Sequence, residues 1–353
     1  MREGRRFYAS VALSLALLIG LILLPQLVES GYIIHIFIVT GMYIALALGY
    51  NLVVGHVGSL SLCHPTFYGV GGYLAAISST RFGTPFLTNL ILAGIIAAGL
   101  AFVISFPFFR LAGVSFAIGT LGFALIAQLV ANNELWLTGG GMCTIAVPRP
   151  RLTIPPLLDW QVSSVTDYYY LILGIVLVVV VLSLSLTTSR LGRTLISIRE
   201  DEVLAMASGV NPRKYKTFAF VVGAFIAGSV GAYYVHYSTL ACPEDLSTYM
   251  TTILLIILFL GGVGRMRGVI LGAVIFTFVP EFLRIAHSWR MVIYGGLLVL
   301  AVVYMPEGLD SVLTKLLRYL PIPSRAPGVV RKSKDETDSH ALTSKDSDPE
   351  THM

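Results

Sequence analysis

Of 353 residues, 56% are hydrophobic and only 12% are charged, and the mean hydropathy is +0.80, whereas an ordinary soluble domain carries about 25% charged residues. This excludes a soluble globular protein and sets an all-α, polytopic membrane bundle as the expected fold, because a helix satisfies its own backbone in lipid. The net charge of +5 does not mark a nucleic-acid binder, since the basic residues form no patch interleaved with aromatics and fall between apolar runs.

Windows of about 20 mostly apolar residues cross a bilayer as helices. They recur at 11–28, 32–52, 63–80, 87–107, 113–131, 168–187, 217–237, 249–262, 268–284 and 289–305. The first, behind Arg2, Arg5 and Arg6, is read as a retained helix rather than a signal peptide, because Val28-Glu29-Ser30 is a poor small-residue cleavage site. Ten spans put both termini on one face. On that threading 19 Lys and Arg lie on the face of the termini and five, Arg81, Arg149, Arg151, Arg284 and Arg290, on the other, so both termini are expected in the cytoplasm. Spans 2–5 and 7–10 are candidates for inverted repeats around the sixth. Residues 1–323 are expected to form the membrane domain, and the polar segment 324–353 a disordered cytoplasmic tail that buries too little apolar surface to order.

After the second span the chain reads Gly49-Tyr50-Asn51-Leu52-Val53-Val54-Gly55-His56-Val57-Gly58-Ser59-Leu60-Ser61-Leu62-Cys63-His64-Pro65. A Gly- and Ser-rich break at membrane depth is tolerated only inside protein or beside a water-filled cavity, and broken helices offer backbone groups to a small polar solute. The segment is therefore read as broken or re-entrant, with Asn51, Gly55, Gly58, Ser59, Ser61 and His64 as candidates for a substrate pathway; a plain cytoplasmic loop with Pro65 opening the next helix is the simpler alternative. A second break, Gly261-Gly262-Val263-Gly264-Arg265-Met266-Arg267-Gly268, ends the eighth span. Glu281 and Arg284, one helical turn apart, read as a structural pair near the outer end of the ninth.

The one long external loop, 132–167, holds Thr138-Gly139-Gly140-Gly141 and Pro148-Arg149-Pro150, a stiff segment suited to a binding surface. Cys143 and Cys242 fall in external segments; a bridge between them and two unpaired packing groups are both open. The remaining cysteine, Cys63, is distant from both in sequence, and no metal-ligand spacing occurs.

Residues 188–216 form a charged island between apolar runs, with Arg190, Arg193, Arg199, Glu200, Asp201, Glu202, Arg213, Lys214 and Lys216. Leu195, Ile198, Glu202, Ala205 and Gly209 fall at helical spacing, and Gly209 suits a left-handed helix end. This is the pattern of a short docking helix for a soluble partner, in which reversal of Glu202 to Lys is expected to weaken the contact. The chain has no Gly-x-x-x-x-Gly-Lys-Ser/Thr loop, no His-Glu-x-x-His helix and no Gly-x-Ser-x-Gly turn. No enzymatic activity, metal or bound cofactor is expected.

The block from Gly49 to Tyr73, then Leu191-Gly192-Arg193 through Ile198-Arg199-Glu200-Asp201-Glu202, Ala205, Gly209, Asn211 and Tyr215-Lys216, resembles permease subunits of the branched-chain amino acid ABC importers. Gly228, Gly231-Ala232, Tyr237, Leu260 to Gly264 and Gly268 to Gly272 continue the likeness, which covers roughly residues 30–305. The resemblance implies a bacterial inner-membrane protein in which two permease subunits form the pathway, ABC ATPase subunits holding ATP and Mg²⁺ dock on the cytoplasmic loops, and an external solute-binding protein delivers the solute. On this reading 188–216 is the coupling loop, with Arg193, Arg199, Glu200, Glu202, Ala205 and Gly209 as its candidate contacts. Met142-Cys143-Thr144, Cys63 and Pro65 depart from the commonest family pattern, and relatives carry urea, short amides or other small amino acids. A secondary transporter is the rival class, although Glu281 is the only carboxylate in the apolar spans to hold a coupling ion.

Overall fold

The computed structural model describes residues 19–28, 30–145, 147–154, 158–162, 164–282 and 296. Helix α1 (19–27) precedes α2 (Gly31–Asn51), which runs directly into a π-helical turn, Leu52–Val57. After an irregular stretch come α3 (His64–Phe82), with Pro65 in its first turn, and α4 (Phe86–Phe108), entered through Pro85. A proline there sacrifices an N–H that has no helical partner in any case. Helix α5 (Val114–Asn133) leads to a short α6 (Leu135–Thr138), a 3₁₀ turn (Gly140–Met142) and the strands β1 (Thr144–Ile145), β2 (Arg151–Ile154) and β3 (Leu158–Gln161).

Helix α7 (Val165–Thr188) opens with a capping box: Ser164 Oγ accepts the Asp167 N–H while the Asp167 carboxylate accepts the Ser164 N–H. The charged island folds as α8 (Arg190–Glu200) and α9 (Glu202–Ala207), followed by α10 (Pro212–Ser238). Strand β4 (Leu240–Ala241), a 3₁₀ turn (Pro243–Leu246), α11 (Thr248–Gly261) and α12 (Met266–Phe282) complete the described chain. The strands make two antiparallel ribbons, β2 with β3 and, across nearly 100 residues of sequence, β1 with β4. The segment 132–167, expected to be an external loop, thus carries a helical turn and three short strands among its described residues.

The result is an all-helical membrane bundle with small ribbons on its loops. Among the described residues, five stretches are long and apolar enough to cross a membrane: Gly31–Val57, Phe86–Phe108, Val114–Asn133, Val165–Thr188 and Pro212–Ser238. Helices α3, α11 and α12 are shorter or more polar, so the expected ten equivalent spans do not follow from the described helices. The tenth span, the Glu281 and Arg284 side chains and the tail lie outside the residues whose structure is described.

Helix α10 is the axis of the bundle and packs along α2, α3 and α4. Small residues let the backbones meet: a Cβ on Gly231 would strike the Tyr68 carbonyl, one on Gly71 the Gly228 carbonyl, and one on Gly228 would lie 2.5 Å from Ala97 Cβ. Between apolar helices in lipid, such close approach supplies the dispersion contact that hydrophobic burial cannot. Helices α4, α5 and α7 instead turn Ile95, Phe102, Ile118, Ile126, Val178 and Val181 outward, as lipid-facing or subunit-facing helices do.

Candidate functional site

The π-helical turn and the irregular segment after it break the second span where the sequence places glycines. Gly58 has φ +77°, a left-handed conformation that stops the helix, and its N–H and that of Ser59 both return to the Val53 carbonyl. Beyond it the chain turns back into the bundle. Leu62 N–H donates to Thr120 Oγ1 of α5 at 3.0 Å, Thr251 Oγ1 of α11 donates to the Leu62 carbonyl at 3.1 Å, and Tyr50 OH donates to the Ser61 carbonyl at 2.5 Å. Meanwhile Asn51 Oδ1, before the break, accepts from Gly264 N at 2.9 Å, just past the far end of α11.

Thr251 and Gly261 are ten residues apart on α11, roughly 15 Å at 1.5 Å per residue. The segment from Asn51 to Leu62 therefore leaves the level of Gly264 and returns deep into the bundle, which makes it re-entrant. Its polar backbone is tolerated there because three hydroxyls from three helices satisfy it. None of Tyr50, Thr120 and Thr251 is marked as a site residue by sequence; a hydroxyl in an apolar helix is the only signal each gives.

The six pathway candidates separate by exposure. Gly58 is exposed and Ser59 half-buried, and Leu60, outside the candidate set, is exposed as well. Asn51, Gly55, Ser61 and His64 are buried. Asn51 holds the second glycine break, Ser61 Oγ lies 3.3 Å from Cys63 Sγ, and His64 stacks on the Tyr50 ring with centroids 5.0 Å apart. These four shape the break; the exposed stretch is Gly58 to Leu60.

The charged island is two helices rather than one, because Asp201 interrupts it. Its carboxylate caps α9, accepting the N–H groups of Val203 and Leu204 at 2.9 Å each. Gly209 adopts φ +82°, the expected left-handed end. The apolar stripe faces inward: Leu195 packs with Val57, Ala219 and Tyr215, and Ile198 and Ala205 are buried. Glu202 is tied to Lys216 of α10 at 2.7 Å, while Arg193, Arg199 and Glu200 are exposed. What α9 offers to the outside is Val203, Leu204 and Met206, 72%, 64% and 50% exposed. Sequence spacing missed this face, since it marks a stripe without saying which side is covered.

The broken helix and the charged island meet. Arg199 Nη1 donates to the Gly55 carbonyl, so the end of α8 is fastened to the π-helical turn. On the opposite side of the bundle, Cys143 and Cys242 form a disulfide that closes the β1–β4 ribbon. Replacing Cys242 by Ser is expected to cost about 2–4 kcal/mol of stability, a common range for a lost bridge. This is read as a lower unfolding midpoint in detergent and faster proteolysis within 132–164. An unchanged midpoint on reduction contradicts a stabilising bridge.

Residues 32–302 match the family described as the permease component of the branched-chain amino acid transport system. The high-affinity branched-chain amino acid transport system permease protein LivM of Escherichia coli (strain K12) is 33% identical over 83% of this chain and 73% of its own length. Permease protein BraD of Pseudomonas aeruginosa is 24% identical, covering 76% of this chain and 91% of its own, and LivH of Escherichia coli (strain K12) is 24% identical, covering 76% and 90%. No solved structure matches the chain. A re-entrant glycine break fastened to a charged loop, in an apolar bundle matched over most of its length, leads to one assignment: the chain belongs to the branched-chain amino acid transport permease family, as a multi-pass membrane component that is not itself an enzyme.

Proposed function

We propose that this chain is one of two permease subunits of an ATP-driven importer that carries a small, branched-chain amino acid from an external binding protein to the cytoplasm. The observation that carries the reading is the face of α9. Three apolar side chains stand exposed on a charged loop outside the bundle, and an exposed apolar patch of this kind marks a protein contact. An ABC ATPase, holding ATP and Mg²⁺ in its own phosphate loop, is the partner that supplies the energy, and this chain binds no cofactor.

The disulfide supports the orientation. Such bonds persist outside the cytoplasm, and α10 separates Cys242 from the α8–α9 loop along its whole length, so the loop faces the cytoplasm, as do both termini on the ten-span threading. The second permease is a LivH-like chain: two permease proteins of Escherichia coli carry the name of one transport system, and this chain is similar to both. Purification in mild detergent tests the assembly. A second permease and an ATPase with a phosphate loop are expected to co-purify; a chain that purifies alone yet transports contradicts the reading.

A further inference from the structure

The geometry points to Arg199 as the positioning residue that carries movement of the coupling loop into the re-entrant wall of the pathway. The inference rests on the importer reading above and adds the atomic link within it. Two glycines from two distant breaks make room for one side chain, and a third accepts its hydrogen bond. A Cβ on Gly58 would lie 2.8 Å from Arg199 Cγ, and a Cβ on Gly264 would lie 2.8 Å from Arg199 Nη1, while the Gly55 carbonyl accepts the guanidinium N–H. Arg199 is exposed overall, but its stem runs along Gly58, where the exposed stretch Gly58 to Leu60 begins, and its head reaches both the π-helical turn and the α11–α12 turn.

Asn51 completes the joint by holding Gly264 N at 2.9 Å. A Cβ on Gly55 would collide with that same Asn51 oxygen and come within 2.7 Å of Gly264 N. The end of α8, the π-helical turn and the α11–α12 turn are therefore joined through Arg199, Gly55 and Asn51. A guanidinium suits the task, because it is always charged and its planar fork is rigid, whereas a lysine ammonium is a mobile point charge. Displacement of α9 by an ATPase reaches Gly58 through two residues, Asp201 and Glu200, and the Arg199 stem. Packed elements of this kind shift between discrete arrangements rather than deforming smoothly.

The test uses the full complex, isolated through a tag on the ATPase and placed in lipid nanodiscs. Ser59→Cys serves as a reporter of the wall, and its rate of maleimide labelling is compared without nucleotide and after trapping with ATP and vanadate. With Arg199 in place, trapping is expected to change the rate at least fivefold. In Arg199→Ala, and independently in Gly264→Ala, which displaces the guanidinium from another element, the ratio is expected to fall below twofold. Arg199→Lys is expected to lie between. An unaltered ratio in Arg199→Ala overturns the proposal, as does a reporter that never responds to trapping in the Arg199 chain. If neither variant assembles with the ATPase, Arg199 is a folding or docking residue and the proposal fails while the importer reading stands. If the unsubstituted chain brings down no ATPase, the importer reading itself fails.

Discussion

Gly55→Val is expected to lower uptake per copy of membrane-inserted protein at least tenfold, with abundance reduced less than twofold. The added Cβ meets Asn51 Oδ1 and lies 2.7 Å from Gly264 N, so the 2.9 Å bond that joins the two breaks is lost. Overpacking of this kind costs about 1–3 kcal/mol, too little to unfold a bundle but enough to move the turn that holds the Gly58 to Leu60 stretch. A β-branched side chain also resists the local backbone. Gly231→Val is the contrasting case. There the new side chain strikes the Tyr68 carbonyl at the α3–α10 crossing, so abundance and uptake are expected to fall together. Quantitative blotting of membranes beside solute uptake separates the two. Parallel losses in Gly55→Val would show that the break is only a structural joint.

The second large effect is expected at α9. Aspartate at Val203, Leu204 and Met206 together should reduce the ATPase recovered with the chain by more than tenfold, since three charges would be left desolvated at the contact and each tenfold loss corresponds to about 1.4 kcal/mol. The measurement is ATPase per permease after affinity purification, at matched membrane abundance. Reversing Glu202 to Lys is expected to do far less. Its carboxylate is about half exposed and already turned to the mostly buried Lys216 at 2.7 Å, so the reversal breaks a contact within the chain rather than one to a partner. Unchanged recovery in the triple variant would mean that α9 is not the docking face.

The contrast between Glu202 and Val203 shows where sequence reading stops. Helical spacing through Leu195, Ile198 and Ala205 is visible in the chain, but spacing gives a stripe and not its covering; Val57 and Tyr215, which cover Leu195, come from other elements. Asp201 caps α9 through the N–H groups of Val203 and Leu204, whereas in the sequence it reads only as part of the charged island. Five of the ten apolar windows coincide with described helices long and apolar enough to cross a membrane, because lipid leaves a chain few alternatives. The path of Gly58 to Leu62 was legible as a broken or re-entrant segment, but its depth was not. Its depth depends on Thr120 and Thr251, 58 and 189 residues from Leu62, and nothing local announces them. The same holds for the disulfide, whose cysteines are brought together by the pairing of β1 with β4 across the bundle.

The proposal is that this chain forms, with a second permease, the path of an importer driven by ATP bound elsewhere. Its most direct measurement is accumulation of radiolabelled leucine in proteoliposomes. These contain the chain, a LivH-like permease and the ATPase, with ATP supplied at the ATPase face and loaded binding protein at the other. The account predicts accumulation on the ATPase side that requires hydrolysable ATP, is abolished by aspartate at Val203, Leu204 and Met206, and persists when ion gradients are collapsed. Accumulation that proceeds without ATP and follows an imposed proton or sodium gradient would contradict it.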